Sequence, residues 1–169
     1  MPALDPPGMP RLRDSTLFEL RYPASELQAG WVKLHAGEWK DSASSDNARE
    51  AYLTMVAHGD LNGDNLRDAA VILYTDPGGT GKFFDIVPVL ASITKQPEIL
   101  AGTVGHSAFI GDRVRPESLW IDGHRVWLRL IAHAKSDPLC CPTEWQQRTY
   151  RLVKDSLKLE TIIPLGIHD

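Results

Sequence analysis

The chain has 169 residues, a formal charge of −4, 43% hydrophobic residues and 24% charged ones. That length suits one domain with a self-sufficient core, and the composition excludes global disorder. Charge is split as 9 Lys/Arg against 14 Asp/Glu over residues 1–100 and 9 against 8 beyond, without the dense basic patch of a nucleic-acid binder, and no apolar run approaches the roughly 18 residues of a membrane-spanning helix.

The opening MPALDPPGMP is rich in proline and lacks an apolar stretch, so residues 1–13 are expected to form a flexible linker ahead of a single β-rich domain over 14–169. An exported protein whose leader has been removed begins this way, and so does a cytoplasmic protein with a frayed end. Ser25 and Gln28 have capping-box spacing and predict a short helix stopped by Gly30. Residues 31–34 and 38–40, on either side of His35-Ala36-Gly37, predict a small hairpin. Trp31 and Trp39 offer either a stacking surface for a sugar or ordinary packing, the commoner fate of tryptophan. The stretch 41–47, DSASSDN, is expected to be a solvated loop.

Ala51, Leu53, Met55 and Ala57 alternate with Tyr52, Thr54, Val56 and His58, which predicts a strand with one apolar face. The strand enters the segment HGDLNGDNLRDAAVILY, residues 58–74. There Asp60, Asn62, Asp64 and Asp68 occupy positions 1, 3, 5 and 9 of a tight loop, and residues 69–75 are expected to leave it as a second strand. A hard divalent cation such as calcium takes six to eight oxygens at about 2.3–2.6 Å, which the four side chains and the Leu66 carbonyl could begin to supply. Three carboxylates so close would otherwise repel one another. Gly63 helps the chain turn, and Asn65 tolerates a left-handed backbone.

The D-x-N-x-D spacing of Asp60, Asn62 and Asp64 resembles the start of an EF-hand or dockerin loop, although the position an EF-hand fills with glutamate falls on Val71. With Asp68 at position 9 the loop is similar to those of FG-GAP repeats, which implies calcium bound between two antiparallel strands. Read more widely, GDLNGD with DAAV, the later GGTG, Gly111-Asp112-Arg113 and the run Cys140-Cys141-Pro142-Thr143 resemble a group of exported bacterial proteins over roughly residues 50–152. That likeness implies export and carries no activity.

Residues 76–81, DPGGTG, form a turn whose Gly81-Lys82 precedes Phe83-Phe84, a strand signature unlike the helix that follows a phosphate-binding loop. Residues 83–93 predict a strand, with Pro88 marking an edge or a bulge. Asp122-Gly123 signals a hairpin within 119–134. Beyond it Val126, Leu128, Leu130 and Ala132 face one way and Arg125, Trp127, Arg129, Ile131 and His133 the other. The second face suits either an anionic or aromatic partner or a solvated surface where arginine stems cover the indole. Residues 149–153 and 157–163 predict a final hairpin.

Cys140 and Cys141 are adjacent, and neighbouring α-carbons lie about 3.8 Å apart, closer than an ordinary disulfide prefers. Two structural thiols, a vicinal disulfide stiffening residues 137–143, and a catalytic or metal-binding cysteine are the three alternatives. The six histidines are scattered, and none joins a nucleophile signature. The expectation is a mostly β domain, α+β being the alternative, of antiparallel hairpins stacked as a sandwich or partly open barrel with one or two short helices. Its expected role is an exported calcium-binding module, non-enzymatic, holding a protein or glycan partner at the cell envelope. The alternatives are a hydrolase working through the Cys140/Cys141 loop and a structural β domain without metal.

Overall fold

The computed structural model describes residues 9–41, 48–96 and 100–168. One short helix, α1 (Asp14–Leu17), is followed by β1 (Arg21–Pro23), β2 (Trp31–Lys33), β3 (Glu38–Asp41), β4 (Arg49–Gly59), β5 (Asp68–Asp76), β6 (Phe83–Ile93), β7 (Leu100–Val104), β8 (Ala108–Asp112), β9 (Arg115–Asp122), β10 (Arg125–Ala132), β11 (Glu144–Val153) and β12 (Ser156–Ile167). The chain is thus mostly β, with antiparallel sheets that stack as a sandwich and do not close into a barrel.

A central sheet in the order β3-β4-β5-β6-β7, with β8 also on β6, lies between two other layers. On one side, the short β1-β2 sheet, α1 and the chain before it bury Leu12, Leu17, Tyr22, Val32 and Leu34 against Ala69, Val71, Leu73, Val87 and Val89. On the other, the four-stranded sheet β12-β11-β10-β9 buries Val126, Leu128, Leu130, Tyr150 and Leu157 against Ala70, Ile72 and Ile86. Because a layer covers each face, every residue of β5 is buried, which is why its sequence reads as a continuous apolar run rather than an alternation.

Several local expectations change in this setting. The alternation predicted through β4 switches face at Thr54, where a bulge pairs Leu53 with Leu73 and Met55 with Ile72. Ala51 and Leu53 therefore pack in the first core, but Met55 and Ala57 in the second. An extra residue in one strand shifts the side-chain phase by one, and local alternation cannot reveal it. Residues 25–28 form no helix. Ala24, Leu27 and Gly30 are instead linked in consecutive turns, with Leu27 N–H donating to Ala24 O and Gly30 N–H to Leu27 O.

The hairpin predicted over 31–40 is also rearranged. β2 pairs with β1 and β3 with β4, so only the His35–Glu38 bridge joins the two halves. Its turn residues Ala36 (φ 52°) and Gly37 (φ 81°) are both left-handed, the backbone of a type I′ turn, which favours Asn-Gly. Ala36→Asn is expected to raise stability by about 0.5–1 kcal/mol, visible as a higher thermal midpoint.

The packed chain also begins earlier than predicted. Leu12 is fully buried, its N–H donates to Arg67 O, and Arg67 N–H donates to Pro10 O. Residues 9–13 are therefore part of the domain, whereas residues 1–8 of the expected linker and residues 42–47 of the expected solvated loop lie outside the described residues. Pro88 falls on β6 between the stretches paired with β8 and β7, where its missing N–H costs no ladder bond and its carbonyl accepts from Gly105 N–H. The β9–β10 turn is Gly123-His124, with φ of 58° at both, one residue beyond the predicted Asp122-Gly123.

Candidate metal centre

The acidic loop, residues 60–67, connects β4 to β5 as expected. Asp60 builds its first half: Oδ1 accepts from Asn62 N–H (3.2 Å) and Gly63 N–H (2.7 Å), and Oδ2 from Asn65 N–H (3.0 Å). Asp64 accepts from Leu66 N–H at 2.9 Å and from the Asn62 side-chain amide at 3.1 Å, while Asn62 Oδ1 accepts from Asp64 N–H at 3.2 Å. Left-handed turns at Gly63 (φ 81°) and Asn65 (φ 63°) let the chain curl around these oxygens. His124 Nδ1 lies 2.8 Å from Asp60 O, so the β9–β10 turn of the second sheet braces the loop from outside.

Asp68 differs from the other two. It is fully buried at the first position of β5, and its oxygens accept from Leu61 N–H and Ala91 N–H, each at 2.8 Å. One carboxylate thereby ties the loop to β6 across the end of the sheet. Burial raises its pKa above the ordinary aspartate value; the two backbone bonds oppose this, and the charges of Asp64 and Asp60 add to it.

Carboxylate oxygens of Asp60, Asp64 and Asp68 all lie within 4.8 Å of one another, inside the roughly 5 Å that two oxygens can span across one calcium ion. A carboxylate has about four lone-pair positions, so the N–H bonds described leave capacity for an ion. No ion pair reaches these three carboxylates among the described residues. The donor set therefore fits a hard cation. The structure brings the Asp60, Asp64 and Asp68 oxygens together; Asn62 is tied to Asp64 through its amide, and Leu66 is half-buried with its N–H bound to Asp64.

Fold and loop together define a class: a layered β sandwich carrying an acidic hairpin loop that could hold a metal. No family model, curated protein or solved structure matches the chain, so geometry alone carries the functional reading.

Cys140 and Cys141 are joined as a vicinal disulfide in the turn before β11. With both sulfurs in that bond neither is a thiolate nucleophile. Asp137 organises the turn, accepting from Ala134 N–H (2.7 Å), Thr143 N–H (2.8 Å) and the Thr143 hydroxyl (2.8 Å). His133 lies within hydrogen-bond distance of Asp112 O, at 3.1 Å through Nε2. Several side chains on the second sheet pair with one another. Trp120 and Trp127 stack at 6.0 Å, Arg129 lies over Trp120 at 5.7 Å, and Arg125 pairs with Glu160 at 2.7 Å.

Two polar features escaped the sequence reading. Asp85, the one acid inside the apolar run of β6, is 3% exposed, and burial, with Glu26 adding, pushes its pKa up to about 6. Its position in a strand otherwise buried on both faces is the signal that could have exposed it. The other feature gathers Asp76 and Lys82 as an ion pair next to an aromatic row of Tyr52, Tyr74 and Phe84 with centroids 4.7 and 5.3 Å apart. These three rings come from separate strands, and only the sheet register brings them together.

Proposed function

We propose that this chain is a non-enzymatic calcium-binding β module that acts outside the cytosol and holds a partner at the cell envelope. The observation that carries the reading is the convergence of the Asp60, Asp64 and Asp68 carboxylates, without an ion pair among the described residues, at the closed end of the β4–β5 hairpin. Calcium would neutralise that charge and hold the hairpin loop against the second sheet. Asp60, Asn62, Asp64 and Asp68 would offer side-chain oxygens and Leu66 its carbonyl. The modest ligand charge suits the millimolar calcium found outside cells, and a disulfide between Cys140 and Cys141 suits the same oxidising surroundings.

Calorimetric titration with calcium is expected to give a dissociation constant of about 10⁻⁴ to 10⁻³ M. Saturation should stabilise the fold by about 1–3 kcal/mol. Asp64 is exposed, so Asp64→Ala should keep the fold and lose the binding heat. An unchanged titration in Asp64→Ala, or no heat with the parent protein at about 10 mM calcium, would leave a structural loop closed by its own N–H bonds.

A further inference from the structure

A cleft lies at the opposite end of β4 from the acidic loop. Strand β4 runs from Arg49 to Gly59, so at about 3.3 Å per residue its two ends are some 30 Å apart. At the Arg49 end a cleft of about 350 Å³ is lined by Leu27, Gln28, Trp31, Trp39, Asp41 and Arg49. That volume lies in the range of small-molecule sites, roughly 300–1,000 Å³.

We propose that this cleft binds a neutral pyranose unit of a glycan, stacked on Trp31 and hydrogen-bonded by Gln28 and the Asp41–Arg49 pair. The Arg21 guanidinium covers one face of the Trp31 ring at 3.3 Å from its centroid, yet the residue remains 42% exposed. It is one of the residues that line the cleft. Trp39, half-buried against the first core, supplies a second indole. The C–H face of a pyranose is apolar and its rim carries hydroxyls, which matches an amphipathic indole beside planar polar groups.

The charged groups that line the cleft suit a neutral, hydroxyl-bearing ligand. Asp41 and Arg49 are bonded to each other at 2.9 Å and so neutralise one another. The pair therefore offers a ligand no unopposed charge, while a hydroxyl can donate to the carboxylate and accept from the guanidinium without breaking the pair. The site is also held in shape. Residues 24–30 are locked by three consecutive backbone bonds, including Ala24 N–H to Gly30 O, and β3 carries Trp39 and Asp41 on the edge of the central sheet. A preformed cleft loses little entropy on binding.

This inference names the class of partner that the proposed function leaves open, and it does not depend on the cation loop. The test titrates cellotetraose, maltotetraose, xylotetraose and fully N-acetylated chitotetraose separately, following the indole N–H signals of the five tryptophans by NMR, in calcium and again in EDTA. At least one sugar is expected to shift the Trp31 and Trp39 signals under both conditions, and Trp31→Ala or Gln28→Ala should weaken binding about tenfold or more. Trp120→Ala should leave it unchanged. Gln28→Ala removes no core group and keeps the test valid if Trp31→Ala fails to fold. Four results would overturn the proposal: no shift with any sugar at about 10 mM, shifts confined to Trp120 and Trp127, undiminished binding in Gln28→Ala, or a response to tetramethylammonium or phosphate equal to that for the sugars. Sugar binding that survives EDTA while calcium gives no heat would uphold the cleft and reject the cation reading.

Discussion

Asp68→Ala is expected to destabilise the protein by about 3 kcal/mol in the absence of any metal, because it leaves two buried backbone donors without an acceptor. Those donors are Leu61 N–H and Ala91 N–H, each 2.8 Å from an Asp68 oxygen. Leu61 is 4% exposed and Ala91 5%, so water cannot readily replace the carboxylate. Asp68→Asn keeps the shape but turns an NH₂ group towards one of the two donors, so it should cost about 1–2 kcal/mol. Chemical denaturation in EDTA measures both. Asp64→Ala, whose side chain is exposed, should cost well under half as much in the same experiment, although it removes the same charge. Equal losses for Asp64→Ala and Asp68→Ala would mean that Asp68 acts only through charge and not as the brace between the loop and β6.

Asp85→Asn should raise stability at pH 7 by about 2 kcal/mol and leave it nearly unchanged at pH 4. Asp85 shares the first-core side of β6 with Val87 and Val89, and no hydrogen bond to its carboxylate occurs among the described residues. Burial first, and the Glu26 charge second, lift its pKa from 3.8 to about 6. A carboxyl whose folded pKa lies above its unfolded one favours the folded state in its protonated form. The resulting penalty is absent below about pH 4, grows as pH rises between about 4 and 6, and is complete above that. A displacement of about two pH units corresponds to about 3 kcal/mol, and the desolvation of the replacing amide removes part of the gain. Denaturation at a series of pH values should show the two proteins converging on the acid side. A constant difference between them would mean that Asp85 is ionised alike in the folded and unfolded chains.

Both predictions concern acids set at the margins or in the middle of apolar strands, and they mark where local sequence stops being informative. The DxNxDxxxD spacing identified Asp60, Asp64 and Asp68 as candidates, and the structure does bring their oxygens together. The spacing did not distinguish the exposed Asp64, bonded within its own loop, from the buried Asp68, bonded to a residue 23 positions away. Trp31 and Trp39 were legible as an aromatic pair, but the hairpin drawn around them was not the one that forms. Short strands take whichever neighbour the assembled layers present, so Trp31 pairs beside Pro23 and Trp39 beside Ala51. The bulge at Thr54 was equally hidden, since one residue of slack is invisible until both partner strands are in place.

By itself the sequence determined the mostly β class, the strands on either side of the acidic loop, the turns rich in glycine and the candidate ligands, because side-chain periodicity and turn chemistry act over a few neighbouring residues. Tertiary structure alone decided that the central sheet is covered on both faces, that Leu12 belongs to the core, that Asp68 bridges to Ala91, and that Gln28, Trp31, Trp39 and Arg49 share one cleft. Those outcomes join residues far apart in the chain. They follow from which layers must meet to bury apolar surface and leave few backbone donors unpaired, a condition satisfied only by the whole fold at once.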